Sequence, residues 1–249
     1  MFPIRDHNPS GKTPFVTIAL VAVNILVFLG YFPAATDLEL NRFFSTWGFI
    51  PARVMAGEGY ETVVTSMFLH GGWMHLAGNM LFLWIFGDNL EEEMGPFGFL
   101  GFYLAGGVAA AGLQAVADLS SVVPMVGASG AIAGVMGGYL LLFPRAKVDV
   151  LFIFLVFFRI FALPAWIILG LWFAIQIFSG LNTPSDSGGV AYWAHAGGFI
   201  AGLVLTLPVW VRRGAEAYWR RTDGHPPHPE TQFLASRSNV PLIRRRRDF

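Results

Sequence analysis

The sequence predicts an all-α polytopic membrane protein built from six transmembrane helices. Three observations carry that expectation. Of its 249 residues, 55% are apolar and only 13% charged, whereas a soluble domain carries about twice that charge fraction. Six apolar stretches recur along the chain, most of them close to the roughly 20 residues a spanning helix needs. Finally, the cations are unevenly spread. The composition excludes a disordered chain, a collagen-like fibre and a typical nucleic-acid binder. The absence of cysteine excludes disulfide scaffolds and thiolate metal sites.

The first stretch, Pro14–Pro33, follows a polar start (residues 1–13) that is too weakly basic for a signal peptide and lacks a cleavage site. The others run over Trp73–Leu90, Phe97–Ala117, Ala128–Phe143, Pro164–Gly180 and Tyr192–Val211. Pro164 favours a first helical turn and so sets the start of the fifth. The preceding VDVLFIFLVFFRIF is short and flanked by Arg145, Lys147 and Arg159, which suggests an interfacial or re-entrant segment. With six spans, fourteen of the sixteen Lys and Arg residues fall on one side, leaving only Arg42 and Arg53 opposite. Cations are retained in the cytoplasm, so both termini are expected there. Residues 14–211 would form the membrane domain and residues 212–249 a mobile basic tail. The Arg244–Arg247 run serves topology or anionic lipid more readily than nucleic acid.

Polar side chains within spans are costly and usually mark function. Here they are His75 and Asn79 in the second span, Ser129 in the fourth, Gln176 in the fifth and His195 in the sixth. Even-numbered helices start on the same face, so His75, Ser129 and His195 are expected at similar depth. His75 and Asn79, four apart, share a helical face. Gly130, Gly134 and Gly138 form one small-residue stripe, and Gly198 and Gly202 another. Such stripes let membrane helices approach closely. If they face each other, Ser129 and His195 come within hydrogen-bonding reach. A serine hydroxyl needs a base, which His195 can be. His75, Asn79 and the Ser129 N–H can then hold an oxyanion. No intramembrane Asp or Glu is available to orient His195, which points to a dyad. Gln176, unlinked by spacing to the others, is assigned to interhelical hydrogen bonding, and His70 to tying down the first outer loop.

These residues resemble a known family. HGGWMHLAGN (His70–Asn79), GASGA (Gly127–Ala131) and AHAGG with Gly202 look like the three signatures of the rhomboid intramembrane serine proteases. Glu91 and Gly95, within FGDNLEEEMG, match a Glu-x-x-x-Gly the family places after the second span. The resemblance implies a six-helix bundle with a water-filled cavity. It assigns Ser129 as nucleophile, His195 as general base, and His75 and Asn79 as oxyanion donors. The implied partners are the lipid bilayer and single-span membrane substrates, cut in or near the transmembrane segment, with no metal or cofactor. It also implies that the fifth span and the loop 182–191 act as gate and cap.

Two stretches depart from the pattern. Tyr60-Glu61-Thr62 stands where many members carry Trp-Arg, and Ala133 stands where some place a tyrosine against the base. Trp166, Trp172, Phe173 and Phe178 read as lipid-facing or packing residues. The polar start, with no Arg/Ser-rich presequence, suggests a prokaryotic plasma membrane.

Three rival classes fit the sequence less well. A catalytically inactive, client-binding relative would lack Ser129 or His195. A metalloprotease using His70, His75 and His195 fails on spacing, since no HExxH is present. A transporter would show paired broken helices in two halves, and no internal repeat is found.

Overall fold

A computed structural model describes residues 2–154, 157–183 and 189–231. Six helices form the bundle: α1 (Phe15–Tyr31), α5 (Trp73–Met94), α6 (Pro96–Ala117), α7 (Ser129–Leu142), α8 (Ala165–Asn182) and α9 (Tyr192–Arg213). Between α1 and α5 the chain adds α2 (Asp37–Trp47), α3 (Pro51–Met55), α4 (Thr62–Thr65) and a 3-10 turn, Ser66–Phe68. α10 (Glu216–Thr222) follows α9.

Helices α6, α8 and α9 are long and apolar enough to cross a membrane, while α1 and α7 are shorter apolar helices. α5 has the length, but its last turns carry Asp88 and Glu91–Glu93. At 1.5 Å per residue, α7 is only about 21 Å long, well short of a hydrocarbon core. Its first residue therefore begins inside the bundle.

α7 is the central helix, and every residue from Gly130 to Tyr139 is buried. It packs on α9 through the two glycine stripes. A methyl group on Gly198 would strike the Gly130 carbonyl, and one on Gly202 would strike the Gly134 backbone. One on Gly138 would meet the Thr206 hydroxyl at 2.6 Å. Only hydrogen at these positions permits so close a crossing.

Glu91 and Gly95 shape the opposite end. The buried Glu91 carboxylate accepts from the Val16 N–H (2.9 Å), the Thr17 N–H (2.8 Å) and the Thr17 hydroxyl (2.9 Å). It thereby caps α1, whose first N–H groups have no helical partner. Gly95, at φ +73°, turns the chain directly from α5 into α6, a conformation that glycine adopts without steric cost.

The segment expected to be interfacial or re-entrant is built of antiparallel β-strands. β2 (Lys147–Phe154) and β3 (Phe157–Pro164) pair antiparallel, and β1 (Phe2–Asp6) adds to the outer edge of β2. The reason is visible in the alternation that span length alone misses. Val148 and Val150 are buried in the core, whereas Asp149, between them, meets Arg5 (2.7 Å) and His7 (2.7 Å). Period two with β-branched and aromatic residues favours a strand.

The start of the expected mobile tail is also ordered. α10 folds back onto the bundle, Tyr218 is buried, Trp219 donates to the Leu141 carbonyl (2.9 Å), and the Thr231 N–H reaches the His7 carbonyl (2.7 Å). Aromatic Tyr218 and Trp219 supply the apolar face that the Arg- and Pro-rich composition obscured. The Arg244–Arg247 run lies outside the described residues.

A polar knot joins sheet and bundle. The buried Asp6 carboxylate accepts from Asn89 Nδ2 (2.9 Å) and from the Tyr139 hydroxyl (3.2 Å), linking β1, α5 and α7. Burial, reinforced by the charge of Asp88, pushes the Asp6 carboxyl up to about 7.

Candidate active site

The end of the bundle away from the sheet holds a cavity of about 620 Å³. Ser129, His195, His75 and Asn79 all line it, on three different helices. Ser129 opens α7, His75 lies in the first turn of α5 with Asn79 one turn on, and His195 lies in the first turn of α9. His70 is not part of its lining.

The facing glycine stripes bring the central pair together: Ser129 Oγ and His195 Nε2 are 2.8 Å apart. The geometry permits the hydroxyl to donate to the imidazole. Ser129 also sits at a helix start, where main-chain N–H groups are free of intrahelical partners and positive potential gathers.

The two side-chain donors are poised differently. His75 Nδ1 accepts from the Gly71 N–H at 3.3 Å, which leaves the proton on Nε2. That edge faces the serine: a Cβ on Gly127 would lie 2.8 Å from His75 Nε2 and 3.4 Å from Ser129 Oγ. Gly127, at φ +131°, therefore keeps open the space between them. Asn79 Nδ2 is buried and has no hydrogen-bond partner among the described residues. An unmet donor inside a membrane protein is costly, and here it borders a cavity that an oxyanion can enter.

His70 acts through its backbone. The Tyr31 hydroxyl donates to the His70 carbonyl and accepts from its N–H, both at 2.7 Å, fastening the loop to α1. Burial, and then the neighbouring His75, push its ring down to about 3, so it is neutral near pH 7. Where many members carry Trp-Arg, this loop is tied by Arg53. Its guanidinium donates to the Ser45 (2.6 Å) and Gly48 (2.8 Å) carbonyls, and the Ala52 N–H reaches Ser121 (3.0 Å).

Gln176 makes the interhelical hydrogen bond expected of it, to a site residue that spacing does not link it to, and Trp172 and Gln114 are contributors not assigned to the site from sequence. Gln176 Oε1 lies 2.8 Å from His195 Nδ1. Trp172, read as packing or lipid-facing, lays its ring 5.7 Å from that of His195 at 34°. Gln114 Oε1 accepts from the Ala194 N–H (3.1 Å), holding the start of α9 beside the cavity. For the two glutamines the available signal was an amide in an otherwise apolar span. For Trp172 there was none, because aromatics on a spanning helix are common. Part of the expected cap, residues 184–188, lies outside the described residues. Among the described residues no group of three or more His, Cys, Asp or Glu side chains is placed to hold a metal ion.

A helical membrane bundle whose central helix presents a serine to a histidine of its neighbour, over a cavity, defines a narrow class of integral membrane protein. The Rhomboid domain model matches residues 57–212. Rhomboid protein 1, mitochondrial, of Saccharomyces cerevisiae is 31% identical over 197 residues, 75% of this chain and 51% of that protein. Rhomboid protease GluP of Bacillus subtilis is 31% identical over 201 residues, 80% of this chain and 36% of that protein. Rhomboid-like protease 5 of Toxoplasma gondii is 34% identical over 178 residues, 70% of this chain and 19% of that protein. The chain thus spans about half or less of the length of these relatives, and it belongs to the rhomboid family.

Proposed function

We propose that this protein is an intramembrane serine endopeptidase that cleaves single-span membrane proteins in or near their transmembrane segments. The observation that carries the reading is the 2.8 Å Ser129–His195 contact at the start of α7, beside two side-chain donors. Ser129 Oγ attacks the scissile carbonyl while His195 Nε2 takes its proton. The resulting oxyanion receives His75 Nε2–H, Asn79 Nδ2–H and the Ser129 N–H. Collapse breaks the C–N bond, with His195 returning the proton to the leaving amine. Water, activated by the same imidazole, then releases the acyl group and restores the serine.

The site favours an extended substrate, because a helical peptide bond is shielded by its own backbone. A segment that unwinds easily, with a small residue at the scissile bond, suits a cavity walled by Gly127, Ala131 and His75. No cofactor takes part. The sheet end, carrying Arg5, Lys12, Arg145, Lys147 and Arg159, is assigned to the cytoplasmic side of a prokaryotic plasma membrane, with both termini there.

The test is cleavage of a panel of single-span reporters by the reconstituted protein, wild type beside Ser129→Ala. Cleavage within or near the membrane segment by wild type alone supports the reading. Uncleaved but stably bound reporters would favour a client-binding protein.

A further inference from the structure

Gln176 is the one polar side chain on the buried face of α8, where it accompanies Ala165, Ile168, Leu169 and Gly180. Its neighbours Leu171, Ile175 and Phe178 face outward. An amide can present either a donor or an acceptor, and here its orientation is fixed. Gln176 Nε2 donates to the Trp172 carbonyl one turn earlier, at 3.3 Å, so Oε1 is the atom that faces His195 Nδ1 at 2.8 Å. A carbonyl oxygen can only accept, and it therefore requires the proton on Nδ1. With Nδ1 protonated, Nε2 of the neutral ring carries the lone pair, and that nitrogen lies 2.8 Å from Ser129 Oγ. Trp172, on the same helix, packs along the imidazole and limits its rotation.

We propose that Gln176 is the positioning residue of the general base, selecting the Nδ1–H tautomer of His195 and fixing its ring plane toward Ser129. This inference rests on the Ser129–His195 protease reading above. It goes beyond a dyad without a third member, and assigns the orienting role to a neutral amide in a membrane interior where an ionised carboxylate would be expensive. A bond that merely joined α8 to α9 would use the same two residues but would not care which nitrogen of the ring is protonated.

The experiment is steady-state cleavage of a single-span reporter by the reconstituted protein, comparing wild type, Gln176→Leu and Gln176→Glu. A fluorophosphonate labelling rate is measured in parallel, because it needs no substrate binding. Gln176→Leu is expected to lower kcat and the labelling rate together, on the order of 10–100-fold, the range found when a hydrogen-bonded partner that orients a metal-bound histidine is removed. KM should stay within about twofold, since the substrate-facing donors are intact. Gln176→Glu, which keeps an acceptor, should recover most of the loss. Unchanged kcat and labelling in Gln176→Leu would overturn the inference, as would a rise in KM alone. Should Gln176→Leu fail to fold, the 15N spectrum of His195 in the wild type decides: an Nδ1–H tautomer supports the role and an Nε2–H tautomer refutes it. Absence of Ser129 labelling in the wild type would instead remove the protease reading beneath it.

Discussion

At the residue scale, the proposed mechanism shares the oxyanion among three donors, so that no single donor's loss is equivalent to losing the proposed nucleophile. Ser129→Ala removes the attacking oxygen and should abolish cleavage at unchanged thermal stability. Asn79→Ala leaves His75 Nε2–H and the Ser129 N–H, so its kcat should fall by no more than about 100–1000-fold, the usual worth of one oxyanion donor. Measured kcat values for the two variants check this, and an Asn79→Ala enzyme as inert as Ser129→Ala would contradict it. The sequence exposed Ser129, His195, His75 and Asn79 because each is polar where the bilayer penalises polarity. It hid the ring contact of Trp172, and for Gln176 it carried the interhelical hydrogen bond but not its partner, because a ring contact and an amide's orientation have no spacing.

At the element scale, the pair exists only because α7 and α9 cross with nothing but glycine hydrogens between them. Gly202→Ala places a methyl group on the Gly134 backbone. Overpacking of this kind costs about 1–3 kcal/mol, and the helices must separate to relieve it. The variant should melt lower in detergent and lose activity out of proportion to its folded fraction; wild-type activity would show that the crossing is not what sets the Ser129–His195 distance. At the far end, Glu91→Ala strips the α1 cap of three hydrogen bonds to a carboxylate. A charged-group hydrogen bond contributes about 1.5–3 kcal/mol, so thermal unfolding should shift strongly while labelling of Ser129 at low temperature persists. The glycine stripes were legible as a period of four, and their facing could be stated conditionally. The β2–β3 strands are hard to see in the sequence because length alone does not separate a short apolar strand from a helix, and only Val148-Asp149-Val150 alternates. α10 was missed because its apolar face is two aromatics among arginines.

At the scale of the whole molecule, chemistry gathers at one end and structural polarity at the other, joined by α7, which carries Ser129 at its start and Tyr139 near its finish. The Asp6–Asn89–Tyr139 knot gives the sheet end a pH dependence. Because the Asp6 carboxyl is raised in the folded state to about 7, the folded protein holds a proton that the unfolded chain releases near the ordinary carboxylate value of 3.8. This group's contribution is fully present below that value and is lost as pH rises through about 7. Asp6→Asn, which cannot ionise, should therefore gain stability relative to wild type as pH rises from about 4 to about 7, read from melting temperatures in detergent. A difference that does not change with pH would show that Asp6 is ionised in the fold.

An activated serine at the head of α7 is the centre of the proposed mechanism. The measurement that reaches it most directly is fluorophosphonate labelling of the purified, detergent-solubilised protein, with the adduct located by mass spectrometry. The prediction is one adduct, on Ser129, lost in both Ser129→Ala and His195→Ala. A folded wild-type protein that takes up no probe, or that carries it elsewhere, would contradict the account.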